Sequence, residues 1–380
     1  MSRFYPSAFY LIYFAALAVF SPFLVLYYQQ LGFSGGQVGL LLGVSPFLSL
    51  FASPFWTGLA DARHRHKAVL TVTLVAAIVF AALYPFFRSF GPLFTVVALF
   101  SFFVAPIVAL VDSATISMLG DQREMYGRVR LWGTVGWGIA APLAGIFLQR
   151  YGLQWMFWMY SALMAINLFI TRKLVFVKPA SSTPFWAGLR VLLTNRRWVF
   201  FLLTVFIAGI GLSAQTNYLA VLMEIKGGDK SLLGVALFIT TLSEVPIMFF
   251  SNRLLKGLKS RGLLILAIFF TGLRCLLYAL VAGPVALLVL QLVHGLTFPL
   301  LWVAGVTYVA ENAPEGLGAT GQGVFGSVMV GFGMAAGGPL GGLLIDRMGI
   351  SGMYAVFGLI VFAGLGLFLV FDRNPPRQNL

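Results

Sequence analysis

Charge is scarce in this chain of 380 residues: only 9% are Asp, Glu, Lys or Arg. Soluble domains carry about 25%, so these few ionic groups could not cover a water-exposed surface of this size, and lipid must solvate most of the chain. Cysteine is rarer still. The single thiol, Cys275, excludes internal disulfides, thiolate metal clusters and iron–sulfur sites. Histidine occurs three times. His64 and His66 share a basic loop that has no cysteine or carboxylate array, so it reads as a solvated turn and not as a metal site. Acids number 11 against 25 bases, a net charge of +14. That excess would indicate an acidic partner only if it gathered on one face. A cleavable signal peptide is not evident, because the first apolar stretch runs past Tyr27.

What is abundant is apolar surface, 60% of the residues. Runs long enough to cross about 30 Å of hydrocarbon fall near 5–30, 36–60, 67–88, 91–119, 126–149, 153–171, 197–224, 231–255, 261–283, 285–310, 318–345 and 350–371. The pattern therefore predicts an all-α membrane protein of twelve transmembrane helices. Turn-forming pairs such as Gly91-Pro92 and Gly283-Pro284 separate the spans. Pro22, Pro46, Pro106, Pro246 and Pro299 lie inside them, where neighbouring helices can satisfy the freed carbonyls. The loops are too short for a soluble enzyme domain, and no nucleophile–base constellation is present, so an enzyme is not expected.

Alternating the spans from the N-terminus sorts the bases. One side collects 18 of them and the other has Arg88, Arg150, Lys226, Lys230 and Arg347, with Arg130 and Arg274 left within the membrane. The positive-inside rule places both termini in the cytoplasm, and the excess charge reports topology and not a nucleic-acid partner. The expected location is the plasma membrane, which for a bacterial chain is the inner membrane. The longest loop divides the spans six and six. We therefore expect an N-terminal bundle over 1–172, a cytoplasmic linker over 173–196 and a C-terminal bundle over 197–380. After Pro184, apolar residues at helical spacing suggest a short interfacial helix in the linker.

The halves are related. AAPLAGIFLQRYGLQWMF (140–157) lies over GGPLGGLLIDRMGISGMY (337–354), aligning Pro142 with Pro339, Gly145 with Gly342 and Arg150 with Arg347. Equal topology in both halves implies a pseudo-twofold along the membrane normal and a site between the halves at the midplane. Gly321-Gln322-Gly323-Val324-Phe325-Gly326 imitates a dinucleotide fingerprint, but no strand precedes it, and no cofactor is expected. Gly333, Gly337 and Gly341 form a stripe that would let another helix approach closely.

Ionisable groups inside a bilayer are costly and mark function by default. Asp112, Arg130, Glu244, Arg274 and His294 are such groups. Folding adjacent spans as hairpins about Asp121, Lys259 and Pro284 brings Asp112 level with Arg130, and Glu244 level with Arg274 and His294, at about 1.5 Å rise per residue. Clamping pairs that only hold helices together are the alternative. Trp137, seven residues beyond Arg130, falls on the same helix face, where an aromatic beside a charge pair suits a ring-bearing solute or simply packs. Motion that brings an arginine up to a buried carboxylate expels its proton, and withdrawal lets a proton return. Glu244, beside Arg274 and His294, is the leading proton carrier, and Asp112 the second.

The loop Thr57-Gly58-Leu59-Ala60-Asp61-Ala62-Arg63-His64-Arg65 resembles the signature of the major facilitator superfamily, with Thr57 and His64 where glycines are usual. The resemblance implies that fold, two pseudo-symmetric six-helix bundles, and a cytoplasmic latch in which Asp61 bonds across to a helix end beside Arg65. Tyr126-Gly127-Arg128-Val129-Arg130-Leu131-Trp132-Gly133-Thr134-Val135-Gly136-Trp137 is similar to the fifth span of the branch holding lactose permease, nucleoside–proton symporters and phenylpropionate permeases. Phe20, Glu244, Arg274 and His294 also match that branch. The resemblance implies a substrate site of Asp112, Arg130, Trp137 and Phe20, and proton coupling through Glu244, Arg274 and His294. Thr297 and Gln291 replace the glutamate and lysine of lactose permease, so its coupling route and its galactoside substrate are not implied. The expectation is a monomeric proton symporter of a small organic solute (sugar, nucleoside or aromatic acid). A proton-driven exporter and a non-transporting sensor or scaffold are the alternatives.

Overall fold

The computed structural model describes residues 3–120, 122, 125–176, 192–313 and 317–371. Pro184 and the segment after it, up to residue 191, lie outside the described residues, as does Asp121. The N-terminal helices are α1 (Phe4–Phe20), α2 (Leu24–Gln30), α3 (Gly35–Arg63), α4 (His66–Leu83), α5 (Phe90–Val104), α6 (Ile107–Leu119), α7 (Tyr126–Tyr151) and α8 (Trp155–Thr171). The C-terminal ones are α9 (Arg196–Asn217), α10 (Leu219–Ile225), α11 (Lys230–Leu280), α12 (Pro284–Gln291), α13 (Phe298–Asn312), α14 (Gly318–Gly326) and α15 (Met334–Phe371).

Among the described residues ten helices are long and apolar enough to cross a membrane, against the twelve expected. The difference has two causes. Trp155–Thr171 is apolar but short, and Thr320–Phe371 counts once although it runs for 52 residues. A straight helix of that length would extend about 78 Å, more than twice the hydrocarbon thickness of about 30 Å. It breaks at Gly349, where φ is 72°. α11 breaks likewise at Lys259, with φ 57°, the residue about which the sequence folds spans eight and nine.

The internal prolines divide into two kinds. Pro22 and Pro299 open new helical segments after breaks, and Pro106 stands between α5 and α6. Pro46 and Pro246 remain inside continuous helices. The glycine stripe behaves as the sequence suggests: Gly333 lies against Gly209, Gly337 against Ser213 and Gly341 against Tyr218, so α15 and α9 touch through backbone.

The 140–157/337–354 repeat reappears as a repeat in packing. A Cβ on Gly145 would lie 3.2 Å from Gly234 Cα, and one on Gly342 would lie 3.1 Å from Gly39 Cα. A Cβ on Gly234 meets Pro142 Cα at 2.7 Å, and one on Gly39 meets Pro339 Cα at 2.9 Å. α7 thus packs on the start of α11 as α15 packs on the start of α3. Each contact carries a similar cap. Lys230 N donates to Gln149 Oε1 at 3.3 Å. Gly35 N and Gly36 N donate to the two carboxylate oxygens of Asp346, each at 2.7 Å, a favourable placement of negative charge at a helix N-terminus.

These contacts gather at one end of the molecule, opposite the basic loops. At the basic end Lys67 Nζ donates to Arg172 O at 2.5 Å within the N-terminal helices, and Trp198 Nε1 to Asn312 O at 3.1 Å within the C-terminal ones. Among the described residues, the far end is closed by the α3–α15 and α7–α11 contacts.

Candidate functional site

Asp112 on α6 and Arg130 on α7 come to the same region, as their spacing requires, but they do not close as an ion pair among the described residues. A tyrosine stands between them. Tyr10 of α1 donates its hydroxyl to Asp112 Oδ1, and the Tyr126 hydroxyl is turned toward the same carboxylate. Thr115 Oγ1 lies 3.3 Å from the Tyr10 oxygen. The Arg130 guanidinium is stacked over rings, 4.1 Å from the centroid of Phe14 and 5.2 Å from that of Tyr10. Glycine makes this possible. A Cβ on Gly133 would sit 2.7 Å from Arg130 Nη1 and from Phe14 Cδ2, so the guanidinium and ring occupy the space a side chain would take. Trp137 is half-buried two turns along the same face. Phe20 lies elsewhere: it is 2% exposed and sits among Tyr84, Phe100, Phe157 and Tyr160.

The second group follows the same design. Arg274 and Glu244 share a layer, but His294 is interposed. Arg274 Nη1 is 2.9 Å from His294 Nδ1, and His294 Nε2 is 3.0 Å from Glu244 Oε1. A guanidinium can only donate, so Nδ1 accepts and the neutral ring carries its proton on Nε2, where it donates to Glu244. The exposure of the side chains rises along the line, from 1% for Arg274 to 18% for His294 and 28% for Glu244. Arg274 is otherwise held by neutral acceptors: Gln291 Oε1 at 2.6 Å, Gln215 Oε1 at 3.1 Å and Thr297 Oγ1 at 3.3 Å. The Tyr278 ring centroid lies 5.1 Å from its Cζ. The backbone explains the placement of His294. The 3₁₀ segment Leu292–Leu296 separates α12 from α13, and Thr297 departs from helical geometry before Pro299. Gly295 lets this segment approach Ser243 on α11, to whose hydroxyl it donates at 3.1 Å, and that sets His294 opposite Glu244.

At the basic end, Asp61 of α3 bonds to the N-terminal residue of the next helix, α4. Its Oδ1 lies 2.7 Å from His66 Nε2, five residues on, and the His66 ring stacks on Phe176 with centroids 5.5 Å apart. His66 and Lys67 are therefore partnered within a segment whose residues 61–65 and 67 are exposed. Arg65 is exposed and contributes its backbone N–H to Ala60 O at 3.0 Å.

Reading ionisable groups alone missed Tyr10, Gln215 and Asp346. Tyr10 and Gln215 were visible as polar residues within apolar spans. Asp346 was not, because a carboxylate at a span end looks like ordinary loop charge.

The sequence matches the MFS_1-like family over residues 5–356. The chain belongs to that family. It is 27% identical over 374 residues to the maltose permease of Geobacillus stearothermophilus, with 97% of this chain and 94% of that protein covered. It is 24% identical over 364 residues to the probable 3-phenylpropionic acid transporter of Escherichia coli (strain K12), covering 94% and 95%. An uncharacterized transporter of Bacillus subtilis (strain 168), YwbF, is 26% identical over 376 residues, covering 98% and 94%. Among solved structures, the nucleoside transporter NupG has the same fold, with a TM-score of 0.88 at 17% identity over 98% of this chain and 100% of that one. This member of the MFS_1-like family is a multi-pass membrane protein of the major facilitator class, a transporter and not an enzyme.

Proposed function

We propose that this protein is a proton-coupled symporter of a small organic solute, working by alternating access between two six-helix bundles. Counting Trp155–Thr171, and dividing Thr320–Phe371 at Gly349, gives twelve spans. The repeated packing of α7 on α11 and of α15 on α3 supports a pseudo-twofold between bundles 1–172 and 197–380. The bias of basic loops toward the end opposite the α3–α15 contact favours a cytoplasmic position for that end and for both termini, and with the far end closed the reading is inward-facing. Asp112, Arg130 and Trp137 line the solute site, with Phe20 shaping the aromatic core behind it.

The observation that carries the coupling is the line Arg274–His294–Glu244. It joins a buried cation to a carboxylate with access to water through one imidazole, whose proton position depends on both neighbours. A proton on Glu244 turns a charged acceptor for His294 Nε2–H into a weaker neutral one and adds an O–H donor, and the rearrangement that follows is transmitted to Arg274 and the helices that hold it.

The test is uptake into proteoliposomes under an inward proton gradient, with radiolabelled maltose, uridine and 3-phenylpropionate as first solutes. Glu244→Gln is expected to keep solute binding and exchange down a gradient while losing accumulation against one. Full accumulation by that variant would remove Glu244 as the coupling group, and absence of gradient-driven uptake by the parent would sink symport itself.

A further inference from the structure

The two intramembrane arginines are provided for very differently. Arg274 is 1% exposed and its terminal nitrogens are met by Gln215, Gln291, Thr297 and His294. Arg130 is half-buried and, among the described residues, no side chain or carbonyl accepts from it; its guanidinium touches only the faces of Phe14 and Tyr10. Arg274 Nε is buried without a partner, whereas none of the Arg130 nitrogens is among the buried unpartnered atoms of the described residues, so its donors stay open to an entering group. The acid that would normally satisfy them is occupied, since Asp112 receives the Tyr10 hydroxyl and faces that of Tyr126.

We infer that the solute bound at this site is a carboxylate carried on an apolar or aromatic body, and that Tyr10 keeps Arg130 available to it by holding Asp112. The inference rests on the reading of Arg130 as a solute-binding residue. Chemistry favours an anion over a polyol. A guanidinium fork matches a carboxylate with two parallel charge-assisted bonds. A sugar needs acceptors as well as donors, and Asp112, the acid at hand among the described residues, already accepts from the Tyr10 hydroxyl. The walls agree, because the surfaces beside Arg130 are the rings of Phe14 and Tyr10, with Trp137 two turns along the same face of α7. Among the described residues, the ionisable groups around Asp112 are Tyr10 and Tyr13 of α1 and Tyr126 and Arg130 of α7. Arg130 is the one cation among them, and two phenol hydroxyls soften the charge of the acid toward an incoming anion. Tyr10 acts here as a positioning residue: without its hydroxyl, Asp112 is free to swing onto Arg130 and fill the fork.

The experiment is binding to the full chain in lipid nanodiscs, by calorimetry, with matched acids and amides: 3-phenylpropionate against 3-phenylpropanamide, and benzoate against benzamide. Maltose and uridine serve as neutral polyols. At least one acid is expected to bind roughly 10–150-fold more tightly than its amide, the range set by a hydrogen bond to a charged group, and Arg130→Ala should remove the difference. Tyr10→Phe should weaken the acid about tenfold, on the order of one charge-assisted bond, and adding Asp112→Asn to that variant should restore it. A residue that only supports the fold would not be rescued in this way. Acids and amides that bind alike overturn the inference. So do tight maltose or uridine binding without acid binding, a double variant as weak as Tyr10→Phe, or a folded protein that takes none of the acids. Proton-driven uptake is scored separately, so carboxylate selectivity can fail while symport survives.

Discussion

Replacing Arg274 by methionine is expected to abolish accumulation of solute while leaving the protein folded, with a melting temperature within a few degrees of the parent. Two opposing effects decide the second half of that statement. Losing the guanidinium orphans Gln215 Oε1 and His294 Nδ1, for which Arg274 is the donor, at about 1–3 kcal/mol for each unsatisfied group. Gln291 keeps a partner in Tyr278, 3.1 Å from its oxygen. Against this, the guanidinium is buried without a carboxylate in direct contact, and relief of its desolvation recovers several kcal/mol. The sums are similar. Transport is another matter, because His294 then loses the donor that fixes its tautomer, and Glu244 is no longer linked to α11 beyond Lys259. Thermal unfolding in detergent, set beside uptake in proteoliposomes, separates the outcomes. A variant that unfolds far below the parent would make Arg274 a clamp, and one that still accumulates solute would remove it from coupling.

The second large effect is expected at Gly39. A Cβ there would lie 2.5 Å from Gly338 O and 2.9 Å from Pro339 Cα, and backbone atoms cannot move aside as a flexible side chain can. Gly39→Val should therefore prevent the far end from closing. Overpacking of this kind costs about 1–3 kcal/mol, which shifts the closed population roughly 5–150-fold, and uptake should fall with it. Leu26 is 3% exposed and shares a cavity of about 200 Å³ with Ala220, so Leu26→Cys reports opening through its reactivity toward an impermeant maleimide. The native Cys275 is buried and gives little background. Labelling of Leu26→Cys should rise sharply in the Gly39→Val background. In an Asp346→Ala background it should rise less, because a charge at a helix N-terminus contributes only about 0.3–1 kcal/mol. Unchanged labelling in both would mean that the α3–α15 contact does not gate the far end.

Much of the architecture was legible because a bilayer imposes a simple rule. Each span must be long and apolar, so its limits are written in composition, and Lys259 could be picked as a turn from the lengths on either side of it. The repeat was legible for a related reason: Pro142 and Pro339, and Gly145 and Gly342, recur at one offset because they make equivalent backbone contacts. The charged layers were also readable, since rise per residue converts sequence distance into depth. The partners within those layers were not. Depth fixes two coordinates of a pair loosely and says nothing of what stands between them. Asp112 was expected level with Arg130, and Glu244 level with Arg274 and His294; the structure adds that Tyr10 meets Asp112 and that His294 stands between Arg274 and Glu244. His294 was placed in its layer by spacing, but its role as the link depends on the non-helical step at Thr297 and the close approach at Gly295.

By itself the sequence determined that the chain is a multi-pass membrane protein, which segments carry the positive charge, and which few ionisable groups lie within its apolar runs. All of these follow from transfer free energies that are nearly additive along a chain. Tertiary structure alone decided which arginine is left open and which is enclosed, and that Asp346 closes one end on the N-terminus of α3. Those depend on contacts between residues as many as 311 positions apart. Such contacts are set by directional hydrogen bonds and by where glycine lets two backbones meet, and neither is additive along a sequence.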